Sequence, residues 1–285
     1  MIRSRAVEAK SEVGASMQGR EFEWSDADFD RVQAMIYKRA GISLNDGKHA
    51  MVYSRLSRRL RETGHHSFRD YLTWLESTDG PEWQEFINAL TTNLTSFFRE
   101  QHHFEILSNH LKSKPTQPWK LWCNAASTGE EPYSIVMTAM EALGPRGSFS
   151  LMASDIDSKV LATASNGVYR MESMKGVDAA RMQRFFLRGK GSNEGMARVK
   201  PELRQHIEFL IVNLIRDDWP FKEQFDVVFC RNVMIYFNGE TQRKVLERIH
   251  RVMKPGAMLF VGHAENFSDS KDLFTLKGKT VYERR

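Results

Sequence analysis

The chain has 285 residues, 41% of them hydrophobic and 27% charged, which suits a globular protein with one large core or two domains. No apolar run nears the roughly 18 residues that span a bilayer, and Met1-Ile2-Arg3-Ser4-Arg5 lacks the hydrophobic region of a secretory leader, so a cytoplasmic protein with no direct membrane insertion is expected. The formal charge of +5 suits an acidic partner, and the two cysteines, Cys123 and Cys230, end apolar runs and have no paired-ligand spacing, which excludes a disulfide framework and a thiolate zinc site.

Residues 1–20 lack hydrophobic periodicity and read as a disordered tail. At Trp24-Ser25-Asp26-Ala27-Asp28 a Ser N-cap precedes acids, and Phe29, Val32 and Ile36 recur at helical spacing, predicting a helix to about Ala40 that Gly41 ends. Lys48 to Thr63 reads as a second helix stopped by Gly64. Val52, Leu56 and Leu60 form one stripe of it, and Lys48, Arg55, Arg59 and Glu62 another. Residues 31 to 61 carry Arg31, Lys38, Arg39, Lys48, Arg55, Arg58, Arg59 and Arg61 against Asp46 alone. Such a one-signed surface steers an oppositely charged partner, so this basic face is expected to be free for docking. Helical patterns at Phe68 to Ser77 and Pro81 to Leu90 complete an all-helical domain over residues 21–92. Residues 93–114 form a linker that runs into a helical stretch from Arg99 to Leu111. The pairs His65-His66 and His102-His103 diverge on a helix and have no second pair at ligand spacing, so all four are expected to be structural or surface residues, with no metal.

From about residue 115 short apolar runs alternate with helical segments, the mark of an α/β sheet. Trp119 to Cys123 predicts the first strand, Pro132 to Leu143 its crossover helix, Phe149 to Ser154 the second strand, and Ser158 a cap for a helix through Ala164. Later strands are expected at Ile207 to Val212, Phe225 to Cys230 and Met258 to Gly262, with Pro255-Gly256 as a turn into the last. A hairpin from Phe274 to Tyr282, turning at Lys277-Gly278-Lys279, ends the chain. Between Tyr169 and Gln205 the pattern breaks around Gly189, Gly191 and Gly195, which fits either an inserted antiparallel sheet or a surface loop.

An open parallel sheet binds its ligand beyond the carboxyl ends of its strands, where strand order reverses. The loop Asn124 to Pro132 occupies that place, with small residues and the lone Gly129 in place of a dinucleotide fingerprint. Glu130 lies in this loop and Asp155 follows the second strand, where an acid accepts hydrogen bonds from ribose hydroxyls; alternatively Asp155 and Asp157 only cap the next helix. Glu130 and Glu131 at the helix start repel a phosphate, so a cationic, phosphate-free nucleoside fits better. Arg231 and Asn232 end the fourth strand and, with Tyr236, are expected to project into the same cleft, unless Arg231 pairs with a surface acid and Tyr236 is a core ring.

Five segments taken together resemble the chemotaxis receptor methyltransferase (CheR) family. They are Asn88 to Thr95 with Phe97-Phe98-Arg99-Glu100, Ala125 to Ser134, Ala153 to Asp157, Phe229 to Phe237, and Gly262-His263-Ala264-Glu265-Asn266. The likeness runs from about residue 25 to the end. It implies an all-helical N-terminal domain, a class I (Rossmann-like) methyltransferase domain over residues 115–285, and a folded β-subdomain insert at about 169–205. It also implies S-adenosyl-L-methionine as cofactor, S-adenosyl-L-homocysteine as product, and glutamates of a methyl-accepting chemoreceptor's cytoplasmic domain as acceptors. The matching cofactor residues are Asn93, Thr95, Arg99, Glu130, Asp155, Asn213, Leu214, Arg231 and Asn232, with Tyr236 near the reactive methyl. The basic helix, through Lys48, Arg55, Arg58 and Arg59, is implied to dock on the receptor, and in some members of the family the insert grips a receptor tail.

A glutamate is ionised at neutral pH, so methyl transfer needs positioning rather than a general base, and alignment alone supplies about 7 kcal/mol in favourable cases. Arg99 and Tyr236 are the residues expected to orient the acceptor and the sulfonium end. Two other readings remain. A nucleic-acid methyltransferase of the exocyclic-amine type carries Asp/Asn-Pro-Pro-aromatic after the fourth strand, where this chain has Arg231-Asn232-Val233-Met234, so no nucleic-acid substrate is expected. A non-catalytic nucleotide-sensing adaptor would not need Glu130, Asp155, Arg231 and Tyr236 together.

Overall fold

The computed structural model describes residues 20–285; the expected tail therefore lies, apart from Arg20, outside the described residues. The chain divides into two compact units, one built from residues up to 35 with 45–90, the other from 36–44 with 91–285. No helix among the described residues is long and apolar enough to cross a membrane.

In the helical unit, Ser25 opens α1 (Asp26–Ala40) with a capping box: its Oγ accepts from the Asp28 amide at 3.2 Å while the Asp28 carboxylate accepts from the Ser25 amide at 2.9 Å. Helix α2 (His49–Thr63) ends at Gly64, whose φ of 74° is the left-handed stop that glycine adopts without strain. Helix α3 (Phe68–Ser77) is capped by Ser67, and α4 (Glu82–Leu90) follows. Phe29, Val32, Val52, Leu56, Leu60, Tyr71, Leu72, Leu75 and Phe86 are all buried. Each such side chain contributes about 1.5–3 kcal/mol, so the stripes, more than helix propensity, hold the unit.

The basic stripe differs from its expectation at Arg59. That side chain is buried: its Nε donates to Glu82 at 2.9 Å, Glu62 and Glu85 complete the neutralisation, and the Tyr71 hydroxyl donates to Glu82 at 2.8 Å. Arg59 thus faces the interior of its own unit and not the surface expected for docking. Arg58 is exposed and paired with Glu62, Lys48 is exposed, and Arg55 is half-buried with Nη1 on the Ala89 carbonyl at 3.3 Å.

The second unit opens with α5 (His102–Ser113), three residues later than expected, and then alternates strand and helix: β1 (Trp119–Cys123), α6 (Glu130–Leu143), β2 (Phe149–Asp155) and α7 (Ser158–Asn166). The insert comprises β3 (Val168–Arg170), α8 (Ala179–Phe185), β4 (Phe186–Arg188), β5 (Met196–Val199) and α9 (Pro201–Arg204). The chain continues through β6 (Ile207–Ile211), β7 (Phe225–Cys230), α10 (Gly239–Val252), β8 (Met253–Val261), β9 (Phe274–Gly278) and β10 (Val281–Arg284). The main sheet has the order β6-β2-β1-β7-β8-β10-β9; its first five strands are parallel and the closing hairpin is antiparallel. All six residues of β7 are buried, as expected of a strand covered on both faces. Strand order reverses between β1 and β7, so the crevice lies at their carboxyl ends.

Four local details differ from the sequence reading. Helix α6 starts at Glu130, with Gly129 as its N-cap at φ 100°, and Pro132 is its third residue. Asp157, not Ser158, caps α7. Pro255-Gly256 lies inside β8, where the register slips from Phe225↔Met253 to Val227↔Met258, so the two residues make an irregularity within the strand. The hairpin turns at Lys279-Thr280, both left-handed with φ of 48° and 59°, the conformation a two-residue turn of this hand requires. The stretch that fitted either a loop or a sheet is a folded three-stranded antiparallel sheet, β3-β5-β4. Tyr169, Phe185, Phe186, Ala197 and Val199 of that insert join the core beneath α6.

The burial of Arg59 has a measurable consequence. Arg59→Ala strands Glu82 without its partner and lowers unfolding stability by about 3–5 kcal/mol, whereas Arg58→Ala removes an exposed pair at under about 1 kcal/mol. Denaturant titration of both variants checks this, and equal small losses would return Arg59 to the surface.

Candidate functional site

The turn after β1 is shaped by backbone bonds to the end of β2. The Ala126 amide donates to the Ser154 carbonyl at 2.9 Å, and the Ser127 amide, at φ 48°, donates to Asp155 Oδ2 at 2.8 Å. Asp155 Oδ1 accepts from the Asp157 amide at 3.0 Å. Asp155 therefore braces the turn and caps no helix; with the Ile156 amide as a third backbone partner, its roughly four lone-pair sites are not all filled. Burial pushes its carboxyl up to about 6, against the pull of the backbone amides. Asp157 does cap α7, through the Lys159 and Val160 amides at 2.9 and 3.3 Å. Its other oxygen accepts from Thr91 Oγ1 at 2.6 Å and Asn93 Nδ2 at 2.8 Å, and Ser127 Oγ donates to the Asn93 carbonyl at 3.0 Å. In this way Asn93 is brought onto the turn.

Gly129 is required twice over. Its φ of 100° disfavours any side chain, and a Cβ there would stand 2.6 Å from the Tyr169 hydroxyl and 2.9 Å from Ala164 Cβ. Glu130 follows, half-buried, accepting from Thr128 Oγ1 at 2.6 Å, and burial raises its carboxyl above the usual range. From β6, the Val212 amide donates to the Asp155 carbonyl at 3.1 Å, which places Asn213 and Leu214 beside the end of β2. Asn213 Nδ2 donates to the Arg39 carbonyl at 2.7 Å, and the Leu214 side chain is buried.

Arg231 is not where the sequence reading puts it. Its side chain has no exposed surface: Nη1 pairs with Glu131 at 2.5 Å, Nη2 approaches Glu100 at 3.4 Å and donates to the Arg99 carbonyl at 2.6 Å. The guanidinium is thus a buried cross-brace, not a group projecting into the crevice, because two carboxylates from other segments neutralise it there. Asn232 takes the left-handed conformation at φ 59°. Tyr236 is half-buried and reaches the Thr92 carbonyl at 3.4 Å, which brings it to the segment that carries Asn93. Arg99 is half-buried with Nη1 on the Leu94 carbonyl at 3.1 Å, and Thr95 is half-buried in the same segment.

Sequence reasoning missed four supporting acids: Glu131, Glu100, Asp157 as a two-way tether, and Glu265, which accepts from the amides of Asn232, Val233, Met234 and Gly262 at 2.6 to 2.9 Å. Their partners lie far away in the chain, so no local spacing announces them. His103 is buried and His102 half-buried. Among the described residues they form with Glu100 a group whose ligand atoms lie within 4.8 Å of one another. His103 Nε2 donates to the Lys279 carbonyl at 3.1 Å, which leaves its Nδ1 bare and facing Glu100 at 3.6 Å. The nearby Arg231 supplies the positive charge that answers Glu100.

The donor set suits a nucleoside with a free diol and a positive charge. Glu130 opens the helix after the β1 turn and Asp155 ends β2, where a diol can donate to carboxylates. The start of α6 carries Glu130 and Glu131, and Arg231 is committed to carboxylates, which leaves a phosphate poorly served.

The model of the CheR methyltransferase SAM binding domain matches residues 93–282, and that of the CheR methyltransferase all-alpha domain matches residues 27–91. The chain is 52% identical to the chemotaxis protein methyltransferase of Klebsiella aerogenes, over 90% of this chain and 89% of that protein. Identity is 49% to the chemotaxis protein methyltransferase of Escherichia coli K12, over 90% and 91%, and 48% to chemotaxis protein methyltransferase 2 of Pseudomonas aeruginosa, over 92% and 95%.

Burial, and then the charge of Arg231, lower the His103 pKa to about 4. A histidine whose folded pKa lies below its unfolded value of about 6.5 leaves stability intact above that pH and removes it as pH falls from about 6.5 to about 4, by about 3 kcal/mol in full. Unfolding of the native chain and of His103→Gln, compared across that window, should diverge in this sense. Parallel curves would mean that His103 is protonated in the fold.

Proposed function

The chain belongs to the CheR methyltransferase family, and from that premise we propose which of its residues carry the reaction. It is an S-adenosyl-L-methionine-dependent methyltransferase of chemoreceptors. Our reading is that it works in the cytoplasm and esterifies glutamate side chains of the receptor's cytoplasmic domain, releasing S-adenosyl-L-homocysteine. The observation that carries the cofactor assignment is the pair of acids beyond the carboxyl ends of β1 and β2, Glu130 opening α6 and Asp155 ending β2, beside the point where the strand order reverses.

When bound, S-adenosyl-L-methionine supplies a methyl carbon made electrophilic by its sulfonium. Asp155 would hold the ribose hydroxyls on what its three backbone partners leave open. Glu130, Asn93, Thr95, Asn213, Leu214 and the backbone of Asn232 complete the cradle, and Arg231 serves it indirectly by fixing the Arg99 backbone. Arg99 and Tyr236 orient the acceptor carboxylate and the sulfonium end. The acceptor has an ordinary pKa of about 4.3, so it arrives ionised and no residue has to remove a proton. The three groups need only be held in line, which is where proximity acts.

We assign the labour by region: residues 21–92 dock on the receptor, 93–114 close the cofactor site, and 115–285 with the insert carry out methyl transfer. Within the first region the exposed bases Lys48 and Arg58 are the docking residues, with Arg55 behind them.

Purified protein given labelled cofactor should place base-labile label on chemoreceptor cytoplasmic fragments and none on RNA. Label on RNA, or none on either, overturns the reading. Arg99→Ala should lower methyl transfer by at least about tenfold; unchanged transfer and cofactor affinity would remove Arg99 from the site. Lys48→Glu with Arg58→Glu should raise KM for receptor several-fold at low salt and leave cofactor affinity as it was, since exposed charges act over about 10 Å in 0.1 M salt. An unchanged KM places docking elsewhere.

A further inference from the structure

Glu265 lies four residues past β8 and is 4% exposed. Its Oε2 accepts from the amides of Gly262 at 2.6 Å and Asn232 at 2.9 Å, and its Oε1 from those of Val233 at 2.9 Å and Met234 at 2.8 Å. A carboxylate offers about four lone-pair sites, so all four are filled from the backbone and none faces a ligand. Three of the donors are consecutive. Consecutive amides converge on one anion when the chain alternates between right- and left-handed conformations, forming a nest, and here Asn232 supplies the left-handed member at φ 59°. The approach is close: a Cβ on Gly262 would lie 2.4 Å from Asn232 Nδ2 and 2.9 Å from Glu265 Oε2.

Beyond the nest the chain enters the short helical turn Met234–Tyr236. Tyr236 is held there by its hydroxyl on the Thr92 carbonyl at 3.4 Å and by its carbonyl, which accepts from the Ser43 amide at 2.8 Å. We propose that Glu265 is a positioning residue for methyl transfer: it is the fixed anion around which residues 232–234 wrap, and the wrapping aims Tyr236 at the reacting methyl. The inference rests on the reading of Tyr236 given above. It explains why a carboxylate is needed at this place. An amide of the same shape keeps one accepting oxygen and turns an NH2 against two backbone donors.

The test is a kinetic cycle on the full chain with receptor fragment as acceptor. Glu265→Gln should lower kcat by about tenfold or more, as misplacement of order 1 Å does, while KM for receptor moves less than about threefold. Because Glu265 acts through Tyr236, the same substitution in a Tyr236→Phe background should cost less than about threefold further. Gly262→Ala perturbs the clamp without touching its charge and should reproduce the kcat loss, so the proposal stays testable if Glu265→Gln fails to fold. An unchanged kcat, or losses that multiply independently in the double variant, would overturn the positioning role. If Tyr236→Phe alone leaves kcat unchanged, the reading of the site falls and this inference falls with it; multiplying losses sink only the inference.

Discussion

A guanidinium with no exposed surface is expensive to leave unanswered, and much of the catalytic unit is arranged to answer Arg231. The residue ends β7; its carboxylate partners come from the first turn of α6 and from the segment ahead of α5, and it also grips a main-chain carbonyl of that segment. One ion cluster therefore joins the central strand, the helix that opens the cofactor turn, and the stretch carrying Asn93 to Arg99. The geometry of that stretch is demanding, since Phe98 and Glu100 both take left-handed conformations at φ 52° and 58°. Conformations of this kind persist where surrounding contacts over-determine them, and the Phe98 amide on Ser134 Oγ at 3.0 Å adds one such contact.

The elements themselves were largely legible. Alternation marked the helix stripes, continuous apolar runs marked β1 and β7, and Gly64 marked its stop, because each depends on neighbours a few residues away. What escaped depends on distance along the chain. Arg59 shares a stripe with Lys48 and Arg55, yet Glu82, 23 residues on, turns it inward. Arg231 looks like a polar strand end until Glu131, 100 residues earlier, is seen to hold it. Pro255-Gly256 has the composition of a turn, and only the pairing with β7 shows that it is an irregularity inside a strand.

The candidate site divides along the same line. Residues that would touch a ligand, Glu130 and Asp155, follow from strand ends and could be placed by topology. Residues that hold the surrounding segments in place, Asp157 and Glu265, are recognisable only through the backbone amides and side chains they gather. The family likeness marked the segments that contain these acids without saying what each acid does. Hydrogen bonds separate the two classes: Asp155 has three backbone partners and room for a further donor, whereas Glu265 has all four sites filled.

The contact between the insert and the cofactor turn bears on how such proteins can diversify. Tyr169, in the first strand of the insert, donates to the Thr128 carbonyl at 2.8 Å, and its hydroxyl fills the space that a side chain on Gly129 would need. The subdomain is therefore not a cassette that can be exchanged at its sequence borders. A transplant from a relative preserves the turn after β1 only if the seam falls after this tyrosine, so the boundary that matters to an engineer, or to recombination, lies inside the insert's own sheet.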